Sequence, residues 1–353
     1  MSRAGSPFFA AMLLATLLAI AMPPAAVRAQ DADPVTRGLP PCPQALADAL
    51  MAVPFDPLPK ELSANSHFVV SDEKAHWLFH DAAKDRGGAL MGVGTDPNYL
   101  MAGWARPEVL VLLDFDQVVV DVHAVYRLIF LNSPDPRSFV AAWSKLQAPV
   151  VEGWIAKAHP DEAARNRVLK AFRMSRNLVE WRLVGMIKAY KAQGVKTFLD
   201  DPAQYRHLVD LFRSGRVFAI RGDLTGTHAV RGVGKALSDA GIPMRVLYLS
   251  NAEKYFEFTK DYKANMRALP FDDRTVVLRT GGGWHGGPPS PDGLYTYVVQ
   301  PGAGFHAWMQ DGVYVSFAAL MLRRKNLKEP AGLATLEALP PAPRKHAPSR
   351  GAK

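Results

Sequence analysis

Four apolar runs of β type, separated by helical patterns, restrict the fold of this chain more than any other feature. The runs cover residues 109–113, 217–220, 245–249 and 275–278. An apolar run without alternation is typical of a strand that is covered on both faces, as in a parallel sheet. Strands that alternate with helices through short turns build right-handed βαβ units. The sequence therefore predicts an α/β fold with a doubly wound, mostly parallel sheet.

Capping signals predict where the helices between these strands begin and end. Asp135 and Asp201 each precede a proline, a residue that is favoured at the first helical position. Gly194 and Gly241 follow helical patterns, and glycine is the usual residue after a helix C-terminus. The predicted helices cover residues 123–131, 161–193 and 228–240, and two more begin after residues 135 and 201.

The N-terminal residues have the order of a cleavable secretory signal. Arg3 precedes an apolar run at 8–22, which Pro23 and Pro24 end before a stretch of small residues. The run is shorter than the ~20 residues that a membrane-spanning helix needs, which favours cleavage over a retained anchor. We therefore expect residues 1–29 to be removed, leaving a periplasmic or secreted protein with no stable membrane insertion.

Composition divides the rest of the chain into four parts. Residues 30–60 contain seven prolines and are predicted to be a linker. Residues 61–281 form the predicted α/β domain. Glycines and prolines interrupt the pattern in residues 282–330, which we interpret as an appended C-terminal element or lid. Residues 331–353 are rich in proline and basic residues and are predicted to be a disordered tail.

Cysteine content and charge argue against some classes of protein. Cys42 is the only cysteine, so the chain forms no internal disulfide. The formal net charge is +9, and it falls to +7 when Arg3 and Arg28 leave with the signal. This excess is spread along the chain, which does not favour a nucleic-acid-binding protein. We expect a small-molecule ligand instead, while the sequence leaves the oligomeric state open.

Two glycines mark the first candidate site. Gly92 and Gly94 lie where a predicted strand turns into a helix, a position at which backbone N–H groups can approach a ligand. Asp114 ends the next strand, where a carboxylate can accept hydrogen bonds from a ribose. This arrangement suits a nucleoside. A tight turn with no ligand is the alternative, since two spaced glycines alone are a weak signal.

The second candidate site follows the strand at 217–220. Gly222, Asp223 and Thr225 stand between that strand and a helix. In an open α/β sheet, ligands bind beyond the carboxyl ends of the strands, so Asp223 is expected to face that crevice. The alternative is that Asp223 or Thr225 caps the following helix.

The third candidate site follows the strand at 245–249. Ser250, Asn251 and Tyr255 could hold a substrate there or orient a transferred group. Ser250 and Glu253 also have the spacing of a capping box, so a capped helix start explains these two residues equally well.

These blocks, in this order, resemble a family of uncharacterised bacterial proteins with a methyltransferase-like Rossmann fold. The likeness spans Ser71 to Thr280 and rests on Gly92-Val93-Gly94 with Asn98-Tyr99, on Asp114, on Gly222-Asp223-Leu224 and on Ser250-Asn251. It implies a fold related to S-adenosylmethionine-dependent methyltransferases, with S-adenosylmethionine as the candidate cofactor. The residues implied in cofactor binding are Gly92, Gly94, Asp96, Asn98, Asp114, Gly222 and Ser250. Those implied in catalysis are Asp223, Asn251 and Tyr255.

Three functions fit these features. The first is a small-molecule methyltransferase in which Gly92 and Gly94 hold the cofactor, Asp114 holds its ribose, and Asp223 or Tyr255 positions the acceptor. The second is a non-catalytic envelope protein that binds a nucleoside or another polar ligand in the same crevice, an interpretation that export favours. The third is an exported enzyme of another class, which the fold permits without arguing for it.

Two further clusters have plainer explanations. His76 and His80 are spaced for one face of a helix beginning at Ser71, but a half-buried pair is favoured over a metal site, and we predict no metal. The predicted helix at 161–193 carries eight basic residues and few acids. A solvated face is favoured for these residues over a nucleic-acid or anionic-surface site. They are Arg165, Arg167, Lys170, Arg173, Arg176, Arg182, Lys188 and Lys191.

Overall fold

A computed structural model of the chain describes residues 38–62, 65–282, 290–310 and 315–336. The predictions for residues 1–29, and for the tail beyond residue 336, lie outside these ranges. The strands of this part are β1 (Ala89–Val93), β2 (Val109–Asp114), β3 (Val217–Arg221), β4 (Met244–Ser250), β5 (Val276–Gly282), β6 (Tyr295–Pro301), β7 (Lys325–Asn326) and β8 (Leu333–Thr335).

Helices connect most of these strands. They are α1 (Gln44–Met51), α2 (His80–Ala83), α3 (Asp96–Ala105), α4 (Gln117–Asn132), α5 (Pro136–Ala142), α6 (Ala148–Ala158), α7 (Glu162–Ala192), α8 (Pro202–Arg213), α9 (Ala229–Asp239), α10 (Lys260–Ala268), α11 (Gly302–Gln310) and α12 (Phe317–Met321). Two short 3₁₀ helices cover His76–Phe79 and Ala252–Tyr255.

The strands form a single sheet in the order β3-β2-β1-β4-β5-β6-β8-β7, of which the first five, from the edge strand β3 to β5, are parallel. β6 runs antiparallel to β5, β8 runs parallel to β6, and β7 runs antiparallel to β8. The chain moves outward from β1 to β3 and then returns to β4 on the other side of β1. A ligand crevice is expected at such a reversal, beyond the carboxyl ends of the strands. The predicted α/β fold with a mostly parallel sheet is confirmed.

Hydrophobic cores cover both faces of the sheet, as the apolar runs require. Successive residues of a strand point to opposite faces. Leu110 and Leu112 of β2 accordingly lie in the first core, whereas Val109 and Val111 lie in the second. The first core includes residues of α3 to α8, and the second includes residues of α1 and α9 to α12. The sheet therefore carries helices on both faces.

Helix ends follow the predicted capping signals. Asp135 and Asp201 precede α5 and α8, and each side chain accepts a hydrogen bond from a backbone N–H of the first turn. Asp161 does the same for α7. Gly194 and Gly241, after α7 and α9, each have a φ of +67°, in the left-handed region that favours glycine. These helices begin and end close to the predicted positions.

Several segments differ from the prediction. α1 lies in the predicted linker, but its Leu46 and Leu50 are buried in the second core. β6 lies in the predicted C-terminal element or lid, but it pairs with β5 and belongs to the main sheet. β8, in the predicted tail, pairs with β6. α1 and β8 are short and are stabilised by distant parts of the chain, so the local pattern does not identify them. The sequence does predict a strand at residues 295–299, within β6, but not its pairing with β5. α4 begins before residue 123 because Asp116 caps it by accepting from the N–H of Val118 at 2.9 Å.

α7 is a 31-residue helix that packs on the first core. Arg182, predicted to lie on a solvated face, is buried instead, with its Nε 2.8 Å from Asp96 Oδ2. The prediction was wrong for this residue because Asp96, in the first turn of α3, provides a buried partner for the guanidinium. Within the described ranges, no helix is both long enough and apolar enough to cross a membrane.

Candidate functional site

A cleft of about 360 Å³ opens at the carboxyl ends of β1, β2, β3 and β4. Sites for small molecules commonly measure about 300–1,000 Å³, so a compact ligand fits. Seven of the ten residues implied in cofactor binding or catalysis line the cleft together: Gly94, Asp114, Gly222, Asp223, Ser250, Asn251 and Tyr255. Apolar parts of its wall come from Pro59, Phe68, Val70, Phe115, Leu224 and Phe256.

Gly92, Asp96 and Asn98 lie beneath the cleft rather than in its wall. A β-carbon on Gly92 would lie 1.9 Å from Asn98 Oδ1, so a larger residue would have to displace that side chain. Asn98 Nδ2 donates to the carbonyl oxygens of Val93 and Gly94, at 3.2 and 3.0 Å. Asp96 is held in its ion pair with α7. The structure therefore gives these three residues internal contacts that shape the turn after β1.

Asp114 ends β2 and faces the cleft beside Gly94. Its Oδ2 accepts a hydrogen bond from the N–H of Gly94 (3.1 Å), and its Oδ1 accepts one from the N–H of Asp116 (2.9 Å). Burial raises the pKa of Asp114 from 3.8 to about 7, and the negative charge of Asp116 acts in the same direction. Each carboxylate oxygen has a second acceptor position, so the ionised group can accept hydrogen bonds from a ligand.

The turn at Gly94 is open on the side of the cleft, and its backbone is held in place by a buried histidine. Gly94 has a φ of +77°, and no atom lies within 4 Å of where a β-carbon would be, which leaves room for a ligand. His123 Nε2 donates to the carbonyl oxygen of Gly94 (3.0 Å), and its Nδ1 accepts from the Tyr99 hydroxyl (2.8 Å). Burial lowers the pKa of His123 to about 4, so the ring is neutral at pH 7. Tyr99 belongs to the motif that carries the family resemblance, but no role in the site was predicted for it or for His123.

Asp223 lines the cleft within a turn that follows β3. Its Oδ1 accepts hydrogen bonds from the backbone N–H and the hydroxyl of Thr225, at 2.7 and 2.8 Å. α9 begins further on, at Ala229, and its N-cap residue His228 provides no side-chain cap. The alternative in which Asp223 or Thr225 caps α9 is therefore wrong.

Asp56 provides the missing cap from a distant part of the chain. It is 1% exposed, and its carboxylate accepts hydrogen bonds from the N–H groups of Asp223, Thr227, His228 and Ala229 at 3.0 to 3.3 Å. Such a cluster of N–H groups at a helix N-terminus is an anion site. The protein's own carboxylate fills this one. Asp56 was not predicted as a site residue because it lies in a proline-rich segment with no strand or motif beside it.

Glu73 is a buried carboxylate that supports the wall formed by β4. It accepts hydrogen bonds from four hydroxyl groups, and its Oε2 lies 3.0 Å from His76 Nε2. The hydroxyl groups belong to Ser71, Tyr248, Ser250 and Thr280. Burial alone would raise the pKa of Glu73, but hydrogen bonds and the nearby His76 lower it to about 2. Because three of the four hydroxyl residues also line the cleft, the charged Glu73 fixes that wall.

Asn251 and Asp72, both in the cleft wall, are joined through Tyr295 of β6. Asn251 Nδ2 donates to the Tyr295 hydroxyl (3.2 Å), which donates to Asp72 Oδ2 (2.5 Å). Tyr255 stands at the rim, where it is 57% exposed. β6 thus helps to position the cleft, although its residues were predicted to belong to a separate C-terminal element.

Glu253 does not form the capping box that its spacing from Ser250 suggested. It is fully buried, with its Oε2 2.9 Å from Arg279 Nε, and its Oε1 accepts from the Tyr262 hydroxyl at 2.5 Å. Ser250 has a φ of +51° and donates to Glu73 instead. The capping explanation for these two residues is therefore wrong, and Glu253 compensates a buried guanidinium.

Carboxyl groups give the cleft a negative character. Four acids line it, namely Glu61, Asp72, Asp114 and Asp223, and no lysine, arginine or histidine is among its described lining residues. Such a site attracts cations and hydrogen-bond donors and disfavours phosphate groups. Over the described ranges, no group of three or more His, Cys, Asp or Glu residues could hold a metal ion. His76 contacts Glu73, and His80 contacts Asp81.

Comparison with known protein families gives a match over most of this fold. The family described as Domain of unknown function (DUF7790) matches residues 68–337. The chain belongs to this family. The DUF7790 match includes all the lining residues of the cleft except Pro59 and Glu61. It also continues past Thr280, where the sequence resemblance ends, and takes in β6 to β8. A comparison with curated proteins finds no match.

Proposed function

We propose that the cleft binds S-adenosylmethionine or a related nucleoside, and that the protein is an exported, methyltransferase-like member of the Rossmann group. The observation that carries this proposal is the position of Asp114. Its carboxylate lies at the end of β2, beside the glycine turn after β1, where the winding of the sheet reverses. In dinucleotide-binding Rossmann folds, an acid near this position accepts hydrogen bonds from a ribose. The order β3-β2-β1-β4-β5 is also that of Rossmann sheets, which supports the proposal.

The residues of the cleft fit this ligand. The open space above Gly94 would admit it to the turn, and Asp114 would hold the ribose hydroxyls through its remaining acceptor positions. S-adenosylmethionine carries a positively charged sulfur, which the four carboxyl groups of the cleft would attract. When bound, it would supply a methyl group activated by that charge.

Phosphorylated nucleotides are less favourable ligands. The anion site at the N-terminus of α9 is already filled by Asp56. A phosphate in the cleft would also meet carboxyl groups without a cationic side chain among the described lining residues. Both features favour a cationic or neutral nucleoside over a nucleotide.

Asp223, Asn251 and Tyr255 are assigned to the methyl acceptor. All three line the same cleft as Asp114 and offer carboxylate, amide and phenol groups. Methyl transfer from a sulfonium depends mainly on alignment of the donor and the acceptor, so positioned hydrogen bonds suffice. A polar acceptor with hydrogen-bond donors fits these groups.

Calorimetric titration of the purified protein tests the ligand. We expect S-adenosylmethionine and S-adenosylhomocysteine to release heat and to raise the melting temperature, and ATP to do neither. Asp114→Ala should abolish binding, whereas Asp273→Ala, at an exposed acid outside the cleft, should bind as the parent does. The absence of heat at millimolar S-adenosylmethionine would contradict the proposal.

Export is tested by fusing residues 1–40 to alkaline phosphatase, which is inactive in the cytosol. We expect an active fusion, and an inactive one when Leu14→Arg interrupts the apolar run. A cytosolic, inactive parent fusion would contradict the proposed location without affecting the proposed ligand.

A further inference from the structure

The outer side of α7 carries an exposed apolar stripe. Met174, Leu178, Trp181 and Val184 are 39%, 48%, 71% and 54% exposed. The spacing of four, three and three residues places them along one side of the helix, and we call these four residues the α7 stripe. At about 1.5 Å per residue, the stripe extends for about 15 Å along the helix.

The fold itself does not require this stripe. Phe172, Val179 and Leu183, on the inner side of α7, are fully buried in the first core. A surface helix needs one apolar side for such packing and normally carries polar residues on the other. Exposed apolar patches often mark sites of contact with a protein or a membrane. The α7 stripe therefore indicates a partner outside the fold.

Lysines stand beyond both ends of the stripe. Lys170 lies one turn before it, Lys188 lies one turn after it, and Lys191 lies one turn further. All three are exposed, and the ion pairs that α7 forms within the described part of the chain use arginines instead. Glu180 is the only acid of α7 beyond Glu162. The outer side of α7 thus combines apolar residues with uncompensated positive charge.

We propose that the α7 stripe docks the protein on a bilayer surface that contains anionic phospholipids, with α7 parallel to the membrane plane. Trp181 and its apolar neighbours enter the boundary between headgroups and acyl chains, a region that tryptophan favours. The lysines at both ends contact the anionic headgroups. The contact is peripheral, in keeping with the finding that no described helix can cross a bilayer.

Charge argues against a second copy of the chain as the occupant. Two-fold pairing of the stripe would bring Lys170 and Lys188 of both copies around one apolar patch. Glu180, which is half-buried, is the one nearby acid of the helix that could offset them. Like charges oppose such pairing, whereas anionic headgroups attract each lysine. The phosphates of a nucleic acid would neutralise the charge of the lysines, but a nucleic acid would leave the apolar stripe without a role.

Co-sedimentation with vesicles tests this surface. We expect the protein to sediment with vesicles of phosphatidylcholine mixed with phosphatidylglycerol, and less with phosphatidylcholine alone. Trp181→Ser, and separately the pair Lys170→Glu and Lys188→Glu, should each lower binding by about tenfold or more. The matched controls Leu322→Ser and Lys260→Glu, at exposed positions outside α7, should bind as the parent does. All variants share one N-terminus, so any contribution from residues 8–22 is the same in each.

Three results would overturn the proposal. One is the absence of sedimentation with the mixed vesicles, and another is equal sedimentation of the parent and Trp181→Ser. The third is a dimer in sedimentation-velocity runs that Trp181→Ser dissociates, since a second copy would then occupy the stripe. Circular dichroism spectra that match the parent ensure that lost binding does not reflect unfolding.

Discussion

Replacing Asp114 by asparagine is expected to stabilise the protein above neutral pH while removing its proposed ligand. Burial raises the pKa of Asp114 from 3.8 to about 7. Each tenfold change in proton affinity corresponds to about 1.4 kcal/mol, so keeping this carboxylate ionised in the folded state costs roughly 4 kcal/mol at pH 8. Asparagine has no charge but keeps one acceptor oxygen, and the lost backbone hydrogen bond costs about 1–2 kcal/mol. We expect a net gain of roughly 2 kcal/mol in the free energy of unfolding at pH 8.

The raised pKa of Asp114 also determines how the stability difference between the variant and the parent changes with pH. Between the unfolded and folded pKa values of Asp114, the folded state binds more protons, so the stability of the parent falls as the pH rises from about 4 to 7. The Asp114→Asn variant has no carboxyl group to ionise at this position, so its stability does not fall for this reason. Its advantage over the parent should therefore grow by roughly 2–3 kcal/mol from pH 5 to pH 8. Urea unfolding at both pH values measures this difference, with Asp273→Asn as the exposed control. An advantage that stays constant or shrinks with pH would refute the reasoning.

Three further predictions concern buried groups. Glu253→Gln leaves the Arg279 guanidinium uncompensated, so urea unfolding should show a loss of about 3–5 kcal/mol, whereas the exposed Glu257→Gln should show none. Asp56→Asn removes a charge and an acceptor oxygen from the N-terminus of α9, so we expect a loss of about 1–3 kcal/mol and faster hydrogen exchange in the first turn of that helix. His123→Gln should make the free energy of unfolding depend less on pH in the acid range. Since burial lowers the pKa of His123 from 6.5 to about 4, the parent should lose up to roughly 3 kcal/mol relative to this variant as the pH falls through that interval.

The architecture was largely predictable because it depends on local patterns. A strand that is covered on both faces must be apolar at successive positions, and β2 to β5 all show this. The caps at Asp135, Asp161 and Asp201 act within a few residues of sequence. In contrast, β8 is three residues long and exists through its pairing with β6. No local periodicity can identify a strand of that length.

The site residues at the carboxyl ends of the strands were predictable from the sequence, but the buried carboxylates that hold them in place were not. Asp114, Asp223 and Ser250 follow apolar runs, and parallel strands bring their carboxyl ends to one edge. Asp56 and Glu73 follow no strand. Their hydrogen bonds reach Asp223 and Ser250 across 167 and 177 positions of sequence. Contacts of this range leave no periodicity or motif in the sequence, so only the folded chain reveals them.

Both of these carboxylates come from the chain that precedes β1, which gives that segment a structural role. Asp56 organises the turn after β3, and Glu73 organises the hydroxyl groups at the ends of β4 and β5. Because both acids are buried and fully engaged by protein donors, they set the shape of the cleft and are not available to a ligand. Asp114 and Asp223 differ, since they remain partly exposed in the cleft wall. The buried acids therefore determine the geometry of the cleft, and the partly exposed acids determine which charges it attracts.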